Sequence, residues 1–128
     1  LMLIDLDNFK QINDSYGHQV GDIVLNHAAG IMKQVLRTED TLCRWGGDEF
    51  IALLEAGSGE QAIKIGHRLR NALSKSPLPH ADQTLRVSAS VGLAWFHPQR
   101  SLDDNIAQTD KALYHAKRDG IGVTLFSA

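Results

Sequence analysis

The chain has 128 residues, of which 43% are hydrophobic and 22% are charged, as expected for one folded domain with a single core. No apolar run approaches the ~20 residues of a membrane-spanning helix, and a formal net charge of -2 provides no basic surface for long nucleic acids. The single cysteine, Cys43, excludes an internal disulfide bond and fits a reducing compartment.

The first predicted element is a buried strand over residues 1–6 that becomes acidic where it ends. Residues 1–4 are all apolar, and side-chain alternation places Asp5 and Asp7 on one face. This pattern is difficult to explain as plain scaffold. A short helix is predicted over residues 8–16, and Gly17 is expected to end it.

A longer helix is predicted next, with Asp22 as its capping residue and its end near Arg37. A short turn then leads to a hairpin over residues 42–54. Its tip is the pair Gly46-Gly47, which can adopt the positive φ that a two-residue turn requires.

The predicted hairpin pairs Trp45 with Asp48 and Arg44 with Glu49, so that two acids lie at its tip. The same acids are equally typical of a solvated turn whose charge keeps an edge from aggregating. Cys43 is expected to be a small core residue of this hairpin, and Trp45 is expected to pack rather than to stack on a base.

The middle of the chain is predicted to contain a third helix, a loop and a long strand. Ser58 begins a capping-box pattern, and the helix is expected to stop before Pro77. Pro77 and Pro79 then mark a loop. Residues 84–95 alternate between apolar and small polar side chains, which predicts one continuous strand.

Ser101 is predicted to cap the last helix, which Gly120 ends before a short strand over residues 123–126. Helices and strands alternate along the chain, and the hairpin requires antiparallel pairing. The predicted fold class is therefore α/β or α+β, a mixed central sheet flanked by helices.

In such a sheet Asp5 and Asp48 come together if their strands are neighbours. Two carboxylates at one position repel each other, and a divalent cation such as Mg²⁺ between them would remove the repulsion. Lys10 lies just beyond the first strand, where its ammonium group is placed to meet a phosphate. We therefore expect a site for a metal ion and a phosphate at this edge.

The sequence resembles the GGDEF domain of diguanylate cyclases over nearly its whole length. Four motifs carry the resemblance, in this order: residues 5–14 (DLDNFKQIND), Gly17-His18 with Gly21-Asp22, residues 44–50 (RWGGDEF) and residues 112–117 (ALYHAK). The resemblance implies one domain over residues 1–128 with a mainly antiparallel sheet, like the palm of nucleic-acid polymerases and class III nucleotidyl cyclases. The family's opening helix and turn are expected to be missing before the first strand.

The resemblance further implies that two GTP molecules are condensed into cyclic di-GMP with release of pyrophosphate. It implies Mg²⁺ or Mn²⁺, two ions per GTP, and a homodimer in which each domain holds one GTP. Cyclic di-GMP is expected to act also as an inhibitor. DNA, RNA and direct membrane contact are not expected. The expected location is the cytoplasm, either alone or as the cytoplasmic domain of a larger, membrane-tethered protein.

The resemblance assigns the metal ligands to Asp5, Asp48 and the backbone carbonyl of Leu6. It assigns the guanine contacts to Asn13 and Asp22, whose amide and carboxylate suit the edge of that base. The full set of expected substrate-binding residues is Asn8, Phe9, Asn13, His18, Asp22 and Lys117. The backbone N–H groups near Asn8 and Phe9, at a helix start, suit phosphate.

The expected catalytic residues are Asp48, Lys10 and Glu49. Asp48, or the metal ion it binds, would help to deprotonate the attacking 3′-hydroxyl, and Lys10 would contact a phosphate. Glu49 has two open interpretations: it completes the metal site, or it pairs with Arg44 across the hairpin.

A second site is implied by the family's product-inhibition motif. Arg37 and Asp40 lie upstream of the hairpin at the usual offset, and Arg68 matches the arginine that accompanies them. Guanidinium groups can clamp phosphates and stack on guanine. Without the resemblance, a surface Arg–Asp pair of little energetic value is the preferred interpretation.

One departure from the family pattern weakens the expectation of catalysis. Many relatives have Arg-Asn where this chain has Ile121-Gly122, so one phosphate-binding arginine is missing, and Arg118 points elsewhere on its helix. The alternative function is a regulatory module that binds GTP or cyclic di-GMP without making product, in some proteins fused to a phosphodiesterase domain. A third interpretation is a structural domain with acidic turns.

Overall fold

The computed structural model describes residues 1–127, which form a five-stranded sheet, a separate two-stranded sheet and four helices. In chain order the elements are β1 (Met2–Leu6), α1 (Phe9–Tyr16), α2 (His18–Val35), β2 (Thr41–Gly46), β3 (Glu49–Leu53), α3 (Gly59–Ser74), β4 (Leu78–His80), β5 (Gln83–Leu85), β6 (Ala89–Leu93), α4 (Leu102–Arg118) and β7 (Val123–Leu125). Within these residues, no helix combines the length and the apolar character needed to cross a membrane.

The main sheet has the strand order β2-β3-β1-β6-β7, and only the β6–β7 pair is parallel. Strand β1 lies in the middle, antiparallel to both β3 and β6. The predicted fold class, a mixed and mainly antiparallel sheet flanked by helices, is therefore confirmed.

The apolar run at the start of the chain forms the central strand because both faces of β1 are covered. On one face, Ile4 packs in a large core with residues of α2 and α3 such as Met32 and Leu69. On the other face, Leu3 packs with Leu113 of α4. All five residues of β1 are buried, which explains why its sequence is continuously apolar rather than alternating until Asp5.

The predicted start of the second helix was wrong. Helix α2 begins at His18, directly after Gly17, so Asp22 lies inside the helix and does not cap it. Gly17 ends α1 and precedes α2 with φ 90° and ψ 165°, a backbone conformation that glycine adopts without steric cost. One glycine therefore turns the chain between two helices, and the Asp22 carboxylate remains exposed.

The continuous strand predicted over residues 84–95 was also wrong. The chain forms β5 and then β6, and the backbone carbonyl of Ser88, between them, accepts a hydrogen bond from the Asp7 N–H at 2.9 Å. Strand β5 pairs instead with β4, which contains Pro79 opposite Thr84. Proline is tolerated there because a two-stranded sheet consists of edge strands only.

The predicted register of the hairpin was wrong by one residue on one strand. Arg44 pairs with Phe50 and Gly46 pairs with Glu49, with a bulge between them at Trp45. A bulge places two residues opposite one and leaves the extra residue unpaired. Strand β2 is an edge strand, so Cys43 is exposed, and its prediction as a core residue was wrong. Trp45, which was expected to pack, is 48% exposed.

The helix caps predicted at Ser58 and Ser101 are confirmed. Each serine hydroxyl accepts a hydrogen bond from a backbone N–H in the first turn, of Gln61 and Asp104 respectively, both at 3.1 Å. These bonds satisfy N–H groups that have no partner inside the helix. They fix the start of α3 and of α4, the helices that approach the candidate site from two sides.

Candidate functional site

The end of β1 and the tip of the β2–β3 hairpin meet at one place. Because β1 and β3 are antiparallel, Asp5 lies opposite Glu49, and the N–H of Leu6 donates to the carbonyl oxygen of Asp48 at 3.1 Å. The Asp48 carboxylate is close enough to Asp5 to raise its pKa. The structure thus brings together Asp5, Leu6 and Asp48, the three residues expected to bind metal.

The Asp5 carboxylate is a buried charge without enough partners. The residue is 7% exposed, and within residues 1–127 its Oδ1 atom is buried without a hydrogen-bond partner. The pKa of Asp5 is raised to about 6, mainly by burial and further by Asp48, because Lys117 offsets only part of these increases. A carboxylate in this position favours binding of a proton or a cation.

Lys117, in the last turn of α4, supplies the cation nearest to these acids. Its Nζ donates a hydrogen bond to Oδ2 of Asp5. Burial lowers the pKa of Lys117, but the hydrogen bond and the charge of Asp5 outweigh it and raise the pKa overall. Lys117 is therefore a charged group between the acids and the neighbouring cleft, whose lining it shares.

The structure decides against pairing of Glu49 with Arg44. Among the described residues there is no ion pair between them, and Arg44 Nε donates instead to the carbonyl oxygen of Gly47 at 3.1 Å. Burial raises the pKa of Glu49, and the nearby carboxylates of Asp110 and Asp48 raise it further. Glu49 thus adds negative charge to the cluster rather than neutralising an arginine.

A cleft of about 490 Å³ opens beside the acids, between the β1–α1 turn and the end of α4. Its lining residues are Asp7, Asn8, Arg70, Ser88, Ser90, Ala116, Lys117, Gly120 and Gly122. Asn8 turns the chain into α1 with a left-handed backbone, φ 59° and ψ 23°. The first hydrogen bond of this turn runs from the Ile12 N–H to the Asn8 carbonyl, so the N–H groups of Phe9 and Lys10 precede the helical ladder, as anion-binding groups do.

The residues expected to contact guanine lie where α1 meets α2. Within the described chain, the Asn13 Oδ1 atom is buried without a hydrogen-bond partner. It lies against Gly21, where a side chain would collide with it. Asp22 follows directly and is exposed, as is His18. The Lys10 side chain, on α1, is also exposed.

The residues expected to bind inhibitor share a different, smaller cleft of about 260 Å³, lined by Arg37, Asp40 and Arg68. The backbone N–H of Arg37 donates to Asp40 Oδ2 at 2.8 Å, and its Nη2 donates to the carbonyl of Glu55 at 2.9 Å. These bonds orient Arg37 beside α3. The three residues are close together as the sequence motif predicts.

Sequence reasoning missed two groups in the larger cleft. Ser88 and Ser90 donate to the two carboxylate oxygens of Asp7, at 3.1 and 2.9 Å, and Arg70 of α3 reaches the same cleft. The small polar face of residues 84–90 was a signal for the serines. No local signal marks Arg70, because the residues around its guanidinium are far from it in the chain.

A family model described as "Diguanylate cyclase, GGDEF domain" matches residues 1–122. The chain belongs to the GGDEF domain family. Among curated relatives, the diguanylate cyclase DgcZ of Escherichia coli K12 is 33% identical over 126 residues, which are 98% of this chain and 43% of the relative. Diguanylate cyclase A of Treponema denticola is 36% identical over 94% of this chain and 33% of the relative. The chain thus spans less than half the length of these relatives.

Solved GGDEF domains have the same fold. The diguanylate cyclase SiaD of Pseudomonas aeruginosa, solved with its activator SiaC, superposes with a TM-score of 0.90 at 34% identity, over 97% of this chain and 48% of SiaD. The GGDEF domain of DgcB from Caulobacter crescentus, solved with cyclic di-GMP, gives 0.89 at 28% identity, over 99% and 77%. The predicted family and its palm-like cyclase fold are confirmed.

Proposed function

We propose that this GGDEF domain is a diguanylate cyclase, which condenses two GTP molecules into cyclic di-GMP and releases pyrophosphate. The observation that carries the proposal is the unpartnered, buried Oδ1 of Asp5 beside Asp48, at the edge of a cleft that Lys117 also lines. Curated diguanylate cyclases that are 33% and 36% identical over nearly the whole chain support it.

The donor set fits a hard divalent cation. Asp5 and Asp48 offer carboxylate oxygens and Leu6 a backbone carbonyl, and oxygen ligands of this kind suit Mg²⁺ or Mn²⁺. Within residues 1–127 no group of three or more His, Cys, Asp or Glu side chains could hold a metal ion, so the proposed site relies on two carboxylates and one backbone carbonyl. When bound, two cations per GTP would neutralise the triphosphate and lower the pKa of the attacking hydroxyl.

The chain's own residues would position the reacting groups. The N–H groups of Phe9 and Lys10 at the start of α1, the Lys10 side chain and Lys117 bind the triphosphate. The 3′-oxygen of one GTP forms a bond to the α-phosphorus of the other, and the bond to the pyrophosphate oxygen breaks. Asp48 helps to remove the hydroxyl proton, and Glu49, which lies opposite Asp5, adds a further carboxylate beside the metal ligands.

Guanine would be held at the α1–α2 junction, away from the acids. The Asn13 oxygen, which has no hydrogen-bond partner within residues 1–127, can accept a hydrogen bond from the N1–H or N2–H of the base, and Asp22 can accept another. His18, exposed at the start of α2, is proposed as a further contact to the nucleotide. Two different contacts to donor groups would select guanine over adenine, which presents an acceptor at N1.

The reaction would require two copies of the domain. One copy offers one guanine site and one triphosphate cleft, whereas the product joins two guanylates, so the two sites must face each other across a two-fold axis. Activity per domain should therefore rise with protein concentration. Because GTP is the substrate, we expect this to take place in the cytoplasm.

The Arg37 cleft is proposed as the product-inhibition site. Arg37, Asp40 and Arg68 line it together, and two guanidinium groups beside a carboxylate suit the phosphates and guanine of cyclic di-GMP. The DgcB domain was solved in complex with cyclic di-GMP.

A second candidate function is supported by Ile121. The family pattern places a phosphate-binding arginine there, and this isoleucine is 55% exposed beside the cleft. A domain that binds GTP or cyclic di-GMP without turnover would tolerate such a change. One relative, 36% identical to this chain, is MucR of Pseudomonas aeruginosa, a bifunctional diguanylate cyclase/cyclic di-GMP phosphodiesterase.

Incubation with GTP and MgCl₂ tests both functions, with cyclic di-GMP and pyrophosphate measured over a range of protein concentrations. We expect product in a 1:2 ratio to consumed GTP, and loss of product in Asp48→Asn. The matched control is Asp119→Asn, which changes an exposed carboxylate paired with Arg118. Nucleotide binding without product would favour the second function. Full turnover by a demonstrably monomeric form would refute the dimeric mechanism.

A further inference from the structure

Arg70 of α3 is a cationic side chain in the larger cleft that the proposed mechanism does not use. It is half-buried and lines the cleft together with Lys117 and Asn8. Its Nε donates to the Ala89 carbonyl at 2.7 Å, which fixes the guanidinium at one edge. Within residues 1–127 no carboxylate oxygen lies within 4 Å of the guanidinium nitrogens of Arg70.

The guanidinium of Arg70 occupies space that only glycine leaves open. Gly122 has φ +86°, and a Cβ at this position would collide with the Cζ, Nη1 and Nη2 atoms of Arg70. Gly122 itself is held in place, because its carbonyl accepts from the Val91 N–H at 2.8 Å and its N–H donates to Ala116 at 3.3 Å. The close approach of Arg70 to this turn is therefore a fixed feature of the cleft.

The acidic residue in the same cleft is already satisfied. Asp7 accepts one hydroxyl hydrogen bond on each carboxylate oxygen, from Ser88 and Ser90. Arg70 has five N–H donors, and within residues 1–127 it uses only Nε in a hydrogen bond to protein. In this part of the chain the four N–H groups on its Nη atoms thus remain for a ligand, and their geometry suits two oxygens of one phosphate.

We propose that Arg70 binds a phosphate group of the nucleotide in this cleft. The inference rests on the proposed function, since it assumes that GTP is the ligand. The proposal also bears on Ile121, which carries no charge where the family pattern has an arginine. Arg70, on α3, supplies a positive charge to the same cleft through the space that Gly122 leaves open. Arg70 is thus a substrate-binding residue, and its loss should affect phosphate recognition and not guanine recognition.

Calorimetric titration of the whole chain tests this with two probes in MgCl₂: a GTP analogue with a methylene bridge between its α- and β-phosphorus atoms, and guanosine. We expect Arg70→Gln to weaken binding of the analogue about tenfold, as loss of one charged hydrogen-bonded contact does, and to leave guanosine unchanged. The matched control is Arg118→Gln, since Arg118 contacts Asp119 and His115 outside the cleft. We expect this control to bind both probes like wild type.

The outcomes separate this inference from the proposed function. Equal affinity of wild type and Arg70→Gln for the analogue would overturn the inference and leave the proposed function standing. If wild type bound neither probe, both the inference and the proposed function would be wrong. If Arg70→Gln weakened binding of the analogue and of guanosine equally, Arg70 would have a structural role, and the inference would be wrong. If Arg70→Gln does not fold, Arg70→Lys is the test variant. It keeps the charge but cannot form two parallel hydrogen bonds to one phosphate, so we expect a several-fold loss of affinity for the analogue and none for guanosine.

Discussion

Two clefts of this domain have neighbouring charges of opposite sign. Beside the larger one, Asp5 is 7% exposed and has a raised pKa, because it is buried and faces Asp48. In the smaller one, the Arg37 side chain is 54% exposed and pairs with Glu39 and Asp40 at 3.5 and 3.8 Å. Both acidic side chains are buried, with those of Asp5 and Asp40 10% and 4% exposed, so the difference lies in their neighbours. A second carboxylate, Asp48, faces Asp5, which favours binding of a proton or a cation, whereas Asp40 shares its cleft with Arg37, Lys64 and Arg68. This contrast fits the proposed chemistry beside the first cleft and the proposed binding of cyclic di-GMP in the second.

The two clefts also differ in how they are assembled. Asp5, Asp48 and Lys117 come from the central strand, a hairpin and the last long helix, and meet only in the complete sheet. Arg37 and Asp40 belong to one short loop, with a backbone hydrogen bond between them. A substitution in the first cleft should therefore affect catalysis and stability together, and one in the second should affect inhibition alone.

The largest expected effect is that of Asp5→Asn on catalysis. The amide keeps the size of the side chain but removes the charge that would hold a cation and its phosphates, so we expect turnover to fall by about 10²- to 10³-fold, as when a key electrostatic contact is lost. The measurement is the initial rate of cyclic di-GMP formation at saturating GTP. Asp119→Asn is the control. If the activity of Asp5→Asn were within a few-fold of wild type, Asp5 would not be a metal ligand.

The same residue should make stability depend on pH. The pKa of Asp5 is raised from 3.8 to about 6 in the folded state, so between these values the folded chain holds a proton that the unfolded chain has released. Stability then falls as pH rises through this window, by roughly 2 kcal/mol. Urea unfolding at pH 4 and pH 7 in EDTA should show this decrease in wild type and a much smaller one in Asp5→Asn. Equal decreases in the free energy of unfolding of wild type and Asp5→Asn would contradict the raised pKa of Asp5.

In the second cleft, Arg37→Ala should weaken cyclic di-GMP binding about tenfold, since a charged contact to phosphate is lost, and change the uninhibited rate little. The measurements are the inhibition constant and the initial rate before product accumulates. Arg44→Ala is a matched control, because Arg44 is an exposed arginine on the hairpin that does not line this cleft. If Arg37→Ala left the inhibition constant unchanged, Arg37 and Asp40 would be a surface ion pair without a role in inhibition.

The sequence allowed prediction of those parts of the site that depend on local pattern. Asp5 stood out as an acid ending an apolar strand, and Ser58 and Ser101 as helix caps, because each of these needs only neighbouring residues. Asp22 was misplaced as a cap, since nothing local showed that Gly17 alone turns the chain between two helices. The hairpin register was misjudged because the sequence does not show a bulge at Trp45.

Contacts between distant residues were beyond prediction from local pattern. Lys117 and Asp5 are 112 residues apart, so their ion pair follows from the packing of α4 against the central strand. The approach of Arg70 to Gly122 likewise requires α3 and the turn after α4 to be placed first. The motif match named Lys117 as a phosphate contact, but only the structure shows it bound to Asp5.

The smallest expected effect comes from restoring an arginine to the larger cleft. Ile121 is 55% exposed between two residues of the lining, Gly120 and Gly122, so Ile121→Arg should fold normally. If Arg70 already binds phosphate, the added arginine should tighten binding of the methylene GTP analogue only about threefold in wild type, in keeping with a partly exposed charged contact. In the Arg70→Gln background the gain should be larger, because the two guanidinium groups then no longer share one phosphate. Equal gains in both backgrounds would mean that the two positions act on different phosphates, and a loss in both would mean that the cleft already carries all the positive charge that the triphosphate can neutralise.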